Sequence, residues 1–260
     1  MQSFSSLCKP LSPAFLHPNN MPVRIGLVVL ATDMVVEVEW REIFAGLPIE
    51  ILVARIACAA EVTPKALLTM AHEIGHCAGL ILPDVELDAI AYGCTSGSLV
   101  IGEEKVQQLL QQGNSEQITS NPFSAIKAAL AFIKAKNIVV LSPYLASVNE
   151  PFYNALDSVG YNIMAWGSLD LTLDKDIGSM NPEHLPKLIE ELLAGVDAVP
   201  DAVFISCTNF KAVAKLAELE QRYGCYFISS NQVMAWHLLH QLNISLPNMK
   251  AGRLFETPSI

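Results

Sequence analysis

Two stretches of the chain, 113 residues apart (207 minus 94), read alike: Asp88-Ala89-Ile90-Ala91-Tyr92-Gly93-Cys94-Thr95-Ser96 and Asp201-Ala202-Val203-Phe204-Ile205-Ser206-Cys207-Thr208-Asn209. The same offset lays Ile25-Gly26-Leu27-Val28-Val29 on Ile138-Val139-Val140-Leu141-Ser142, Glu37 on Glu150, and Ile49-Glu50-Ile51 near Asn162-Ile163-Met164. Three segments in one register imply a duplicated unit, and a duplication restricts the fold before any motif is considered. Each copy reads strand, helix, strand, helix, strand ending in cysteine, helix. That alternation predicts a doubly wound parallel sheet. The expected fold is therefore α/β, with two pseudo-symmetric parallel-sheet half-domains spanning residues 24–120 and 121–260, behind a loose leader at 1–23.

The strand-like segments are apolar at every step, as in Ile25 to Ala31 and Ile138 to Leu141, which suits strands covered by helices on both faces. Two helix starts are legible. Thr63-Pro64 opens a helix expected to run to about Leu82, and Asn121-Pro122 opens another carried by Ala125, Ala128, Ala129 and Phe132. With 52% hydrophobic residues the chain can bury a large core, yet no apolar stretch approaches the ~18 residues of a membrane span. A net charge of -10 and the absence of any Lys/Arg cluster leave no footprint for nucleic acid. The leader lacks the pattern of a signal peptide. The six cysteines show no CxxC spacing, and free thiols in a reducing cytoplasm are the expected state.

In an open parallel sheet, ligands gather outside the carboxyl ends of the strands. Cys94 and Cys207 both fall there, each followed by small polar residues: Thr95-Ser96-Gly97-Ser98 and Thr208-Asn209. Backbone N–H groups at such turns can hold a carboxylate or an enolate-like oxyanion, and the same partial positive charge is expected to lower a thiol's pKa. If the halves are related by a pseudo-twofold axis, the two thiols face one carbon skeleton from opposite sides. Two chemistries fit. One thiolate removes an α-proton while the other thiol protonates the opposite face, or one thiolate adds to an activated double bond, permits rotation and leaves. A single buried cysteine is ordinary core filler. The repeated placement singles out these two, and Cys8, Cys58, Cys77 and Cys225 stay with the structural reading.

At these residues the sequence resembles the aspartate/glutamate racemase superfamily, in its branch of maleate isomerases, arylmalonate decarboxylases and ectoine-utilisation EutA-like proteins, the last being the nearest in pattern. The matching stretches are Leu30-Ala31-Thr32-Asp33, Arg55-Ile56 with Glu61-Val62-Thr63-Pro64, Tyr92 to Gly97, Pro143-Tyr144 with Val148-Asn149-Glu150, Ser206 to Asn209, and Ser229 to Gln232. The resemblance implies cofactor-independent catalysis by Cys94 and Cys207 on a small carboxylate or dicarboxylate. It also implies that Thr95, Ser96, Tyr144, Thr208 and Asn209 hold the substrate carboxylate. Arylmalonate decarboxylases lack the first cysteine, so Cys94 argues against decarboxylation. Maleate isomerases carry asparagine near the positions of Asp33 and Asp174. An ionised aspartate there would repel a dicarboxylate and favour an amino-bearing acid. For Asp33 the other reading is a helix cap.

Other motifs carry less. His72-Glu73-Ile74-Gly75-His76 matches HExxH, but Leu82 stands where a third histidine would be needed, and both histidines lie on the polar face of an amphipathic helix, so no metal is expected. Arg55, at the end of an apolar run, needs either an acidic partner or an anionic ligand. His184 and His237 read as structural or exposed, and Trp40, Trp166 and Trp236 as core or interface aromatics. Gly93, Gly97 and Gly102 form no nucleotide-binding loop. The leading expectation is a two-thiol cis-trans isomerase. A racemase or epimerase, a decarboxylase-like enzyme and a non-catalytic carboxylate binder stand behind it, and a homo-oligomer is the expected assembly.

Overall fold

The computed structural model describes residues 8–9, 11–15, 21–112, 115–244 and 251–256. Most of the expected leader lies outside them. The first half runs β1 (Val23–Leu30), α1 (Val36–Ile43), β2 (Ile49–Ile56), α2 (Pro64–Thr69), α3 (Ala71–Gly79), β3 (Ala89–Gly93), α4 (Thr95–Ile101), α5 (Glu103–Leu110) and β4 (Ile118–Ser120). The second runs α6 (Pro122–Phe132), β5 (Asn137–Ser142), α7 (Ala146–Ser158), β6 (Asn162–Ser168), α8 (Asp174–Gly178), α9 (Leu185–Leu193), β7 (Ala202–Ile205), α10 (Val213–Tyr223), β8 (Tyr226–Ser229) and α11 (Ser230–Gln241).

Each half builds one four-stranded parallel sheet, in the orders β2-β1-β3-β4 and β6-β5-β7-β8. The sequence offset recurs in the register. Ile25 pairs with Ala89 as Ile138 pairs with Ala202, and Gly26 pairs with Leu52 as Val139 pairs with Ala165, after a bulge at Ile138/Val139. Even the strand entries match: the Asp88 carboxylate accepts the N–H of Arg24 at 2.7 Å, and Asp201 accepts that of Asn137 at 2.8 Å. Before that bulge the second-strand register is one residue out, and at the fourth strand the repeat slips further, Ala91 pairing with Ser120 but Phe204 with Ile228.

Alternate residues of each strand enter opposite apolar layers, which explains why the runs show no polar alternation. Ile25, Leu27, Val140 and Phe204 share one buried layer, while Val28, Tyr92, Val139 and Ile205 share the other. Both layers draw on both halves. Helices α6 and α11 pack against each other, and α11 also lies against β3 and β4 of the first sheet. The halves are thus interlocked, and their strand ends meet at a common seam. One loop from each half, at 60–62 and 172–174, closes part of that seam as an antiparallel bridge between Glu61 and Leu173, with Val62 N–H donating to Thr172 O at 3.0 Å and Asp174 N–H to Ala60 O at 3.1 Å.

The helix expected from Thr63 to Leu82 is two helices. Thr63 does cap the first, accepting Ala66 N–H, but Thr69 Oγ1 donates back to Ala66 O at 2.7 Å and the chain tightens at Met70 before α3 begins. Back-bonding of this kind competes with the helical ladder. Asn121 caps α6 as expected, its Oδ1 accepting Phe123 and Ser124 N–H at 3.0 Å each.

Candidate active site

Cys94 ends β3 and is the N-cap of α4, where its sulfur accepts the N–H of Gly97 at 3.2 Å. Gly97 is required by proximity: a Cβ there would lie 2.6 Å from the Tyr92 hydroxyl and 2.9 Å from the Cys94 sulfur. Cys207 ends β7 differently. It adopts φ +101°, in the region that favours glycine, and the next helix begins only at Val213. Of the two thiols, Cys94 therefore stands at a helix start and Cys207 at a turn.

Side chains from the two halves knit the sulfurs together. The Ser230 hydroxyl, at the start of α11, accepts the N–H of Cys207 at 3.0 Å and the hydroxyl of Thr95 at 2.8 Å. Thr208 donates to the carbonyl of Gly93 at 3.2 Å, next to Cys94. The Tyr144 hydroxyl lies beside Ser96 and the Cys207 sulfur, close enough to feel the charge of both cysteines. Asn209 bridges the β1–α1 loop and α8, accepting Met34 N–H at 2.8 Å and donating to Asp174 O at 2.9 Å. All eight residues singled out from the sequence, namely Asp33, Cys94, Thr95, Ser96, Tyr144, Cys207, Thr208 and Asn209, converge on this seam, and none is more than 5% exposed. Bulk water is excluded, so electrostatic effects here are strong.

Two carboxylates dominate them. Asp33 fulfils the capping role, its Oδ1 accepting Val35 and Val36 N–H at 2.8 and 2.9 Å. Its Oδ2 is buried and makes no hydrogen bond, the neighbouring Thr208 hydroxyl donating to Gly93 O. Burial pushes the Asp33 carboxyl up to about 6 against the pull of those two N–H bonds and of the nearby Thr208 hydroxyl, with the Asp174 charge adding to the rise. Asp174, also buried, accepts the Thr32 hydroxyl on Oδ2. Its charge reaches both thiols. Burial, reinforced by Asp174, pushes Cys94 up to about 12 despite the bond from Gly97, and the same two causes hold Cys207 well above the usual thiol range. The expected depression of the thiol pKa is thus reversed: one N–H bond is outweighed by desolvation and a nearby carboxylate.

Arg55 is a structural pair, bonded to Glu37 and to the carbonyls of Leu30 at 3.1 Å and Asp33 at 2.9 Å, so it shapes the loop that carries Asp33. His72, Glu73 and His76 do not converge on the seam, and among the described residues no group of three His, Cys, Asp or Glu is placed to hold a metal. Trp40 is buried and its Nε1 donates to Asn231 O at 3.0 Å. Cys58, read from the sequence as structural, borders the site: its sulfur lies 3.3 Å from Thr32 Oγ1, beside a cavity of about 20 Å³ that Asp174 and Met70 also line. Thr32, Tyr92, Ser230 and Asn231 stand in the stretches that match the family, but the sequence alone assigns them no role, because their contacts at the seam join segments distant in sequence. No helix among the described residues is long and apolar enough to cross a membrane.

Known proteins share this architecture. A family model described as arylmalonate decarboxylase matches residues 25–255. The maleate isomerase of Nocardia farcinica is 24% identical over 247 residues, covering 91% of this chain and 96% of its own. That of Pseudomonas putida is 23% identical over 202 residues, covering 75% and 79%. Among solved structures, a cysteine-to-serine variant of Nocardia farcinica maleate cis-trans isomerase with a covalently bound succinylcysteine intermediate aligns at TM-score 0.81 and 23% identity, over 91% of this chain and 99% of that one. Unliganded arylmalonate decarboxylase aligns at TM-score 0.70 and 17% identity, over 90% and 99%. These structural likenesses establish a shared fold.

Proposed function

The chain belongs to the arylmalonate decarboxylase family, and we propose that it is a cofactor-independent isomerase of a small carboxylic acid, acting through Cys94 and Cys207 in the manner of a maleate cis-trans isomerase. One observation carries the reading: thiols from opposite halves share Tyr144 and Asp174 as neighbours in a water-excluded seam. Maleate isomerases as relatives, and a succinylcysteine adduct in one of them, support it. The retained Cys94 and the matching stretches point within the family to the EutA-like branch rather than to decarboxylation.

The thiols take different parts. Cys94, at a helix start, reacts as the thiolate, its proton having passed to solvent before the substrate fills the seam, and adds to one carbon of a cis double bond, forming a C–S bond. The π electron pair moves to the adjacent carbon, conjugated with its carboxylate, where the Cys207 thiol supplies a proton with Tyr144 supporting the sulfur left behind. Rotation about the resulting single bond follows. Cys207 then takes the proton back, the C–S bond breaks, the electron pair re-forms a trans double bond and Cys94 leaves as thiolate. Thr95, Ser96, Thr208 and Asn209 orient the carboxylates.

A second reading, racemisation of an amino-bearing acid, is favoured by the unpartnered Asp33 Oδ2 and the adjacent Asp174 charge, which suit an ammonium better than a second carboxylate. The test is incubation with maleate and with amino acids in deuterated water, followed by proton NMR, for the unaltered protein and for Cys94→Ser and Cys207→Ser. Fumarate formed without label at a stereocentre supports the first reading, and label at a saturated α-carbon supports the second. Each serine variant should lose on the order of 10²–10⁴ in rate, the usual worth of a positioned acid-base group. Undiminished turnover in either folded variant removes the two-thiol mechanism.

A further inference from the structure

Glu39 takes no part in the chemistry above, yet it is the carboxylate most firmly built into the seam. It lies in α1 of the first half and is 1% exposed. Its Oε1 accepts the N–H groups of Ala212 and Val213, at 2.7 and 2.8 Å, where α10 begins. Its Oε2 accepts the side-chain amide of Asn231 at 2.7 Å, and the same nitrogen donates to the carbonyl of Thr208 at 2.8 Å. A side chain of one half therefore grips the other half's cysteine loop at both ends, directly at Ala212 and through Asn231 at Thr208.

That loop is the one that needs gripping. Cys207 holds φ +101°, a conformation that persists only where the surroundings over-determine it. Cys94, at φ -153°, passes straight into α4 and needs no such support. The repeat agrees, because the counterpart of Glu39 in the second half, 113 residues on (152 minus 39), is Phe152, an apolar core residue. The clamp exists only for the strained thiol.

Resting on the two-thiol reading, we propose that Glu39 is a positioning residue for Cys207: its carboxylate fixes the loop 207–212 so that the Cys207 sulfur meets Tyr144 and the ligand. Asn231 is the second link of the same device.

The test compares the full-length protein with Glu39→Gln and Asn231→Ala, using iodoacetamide as probe and peptide mass spectrometry to read alkylation of Cys94 and Cys207 in the same molecules. Thermal unfolding is followed in parallel. The expected result is a change of about fivefold or more in the Cys207 rate, as release of backbone strain implies, with the Cys94 rate held within about twofold. A fold-wide loosening would move both thiols together and overturns the proposal, as does an unchanged Cys207 rate. If Glu39→Gln does not fold, Asn231→Ala decides alone, since it leaves the first turn of α10 capped. Protection of both thiols by maleate in the unaltered protein reports on the two-thiol reading separately, so a flat result in the variants removes the role of Glu39 and leaves that reading standing.

Discussion

Replacing Asp33 by asparagine removes one charge from the seam and changes almost no volume. The substituted side chain keeps an oxygen for the N–H groups of Val35 and Val36, and its new amide nitrogen faces the Thr208 oxygen, which still has room to accept. In the unaltered protein the Asp33 carboxyl is raised from 3.8 to about 6, and each pKa unit is worth about 1.4 kcal/mol, so ionisation of the folded state costs roughly 3 kcal/mol. The folded protein holds this proton more tightly than the unfolded chain. Its contribution to stability is therefore complete below about pH 4 and is lost as the pH rises through about 6. Glu39, pushed up to about 7 chiefly by burial, titrates in both proteins and cancels from the comparison. Urea unfolding at intervals from pH 4 to pH 8 should show Asp33→Asn gaining roughly 2–3 kcal/mol on the unaltered protein, with little change above pH 7. A difference that is flat with pH, or that runs the other way, would refute the assignment of Asp33 as a buried, incompletely bonded carboxyl.

Three further outcomes follow from the same geometry. With its thiol raised to about 12, Cys94 should be alkylated by iodoacetamide at a rate rising about tenfold per pH unit from pH 7 to pH 10, and a plateau near pH 8.5 would contradict the burial argument. Gly97→Ala should displace the Cys94 sulfur, costing about 1–3 kcal/mol of stability by overpacking and abolishing turnover, whereas normal turnover would mean that the sulfur does not depend on its present seat. Asn121→Ala should cost about 1 kcal/mol in urea unfolding, the usual worth of a cap, and no loss would mean that α6 is held by packing alone.

The duplication was legible because strand register and strand-end chemistry are local properties: Ile25/Ile138 and Cys94/Cys207 keep one offset in both sequence and sheet. Their electrostatics were not legible. A cysteine before small residues signals a helix start, but the depth of its burial and the approach of Asp174, from an element 80 positions further on (174 minus 94), arise only when the halves close. The same applies to Glu39, Ser230 and Asn231, whose roles depend on α1 and α11 crossing the seam. Of the two readings of Asp33 the structure shows the cap, Oδ1 accepting the N–H groups of Val35 and Val36, while Oδ2 makes no hydrogen bond. The asymmetry of the thiols was hidden too. Identical flanks at Cys94-Thr95 and Cys207-Thr208 conceal a turn that delays α10 to Val213.

The account rests on two sulfurs reaching one ligand, and a short bifunctional reagent measures that directly. After treatment with 1,3-dichloroacetone, whose three-carbon bridge joins thiols held close together, peptide mapping should find Cys94 tied to Cys207 as the dominant product, formed more slowly when maleate is present. Separate single-thiol adducts at the two positions, with no bridge between them, would contradict it.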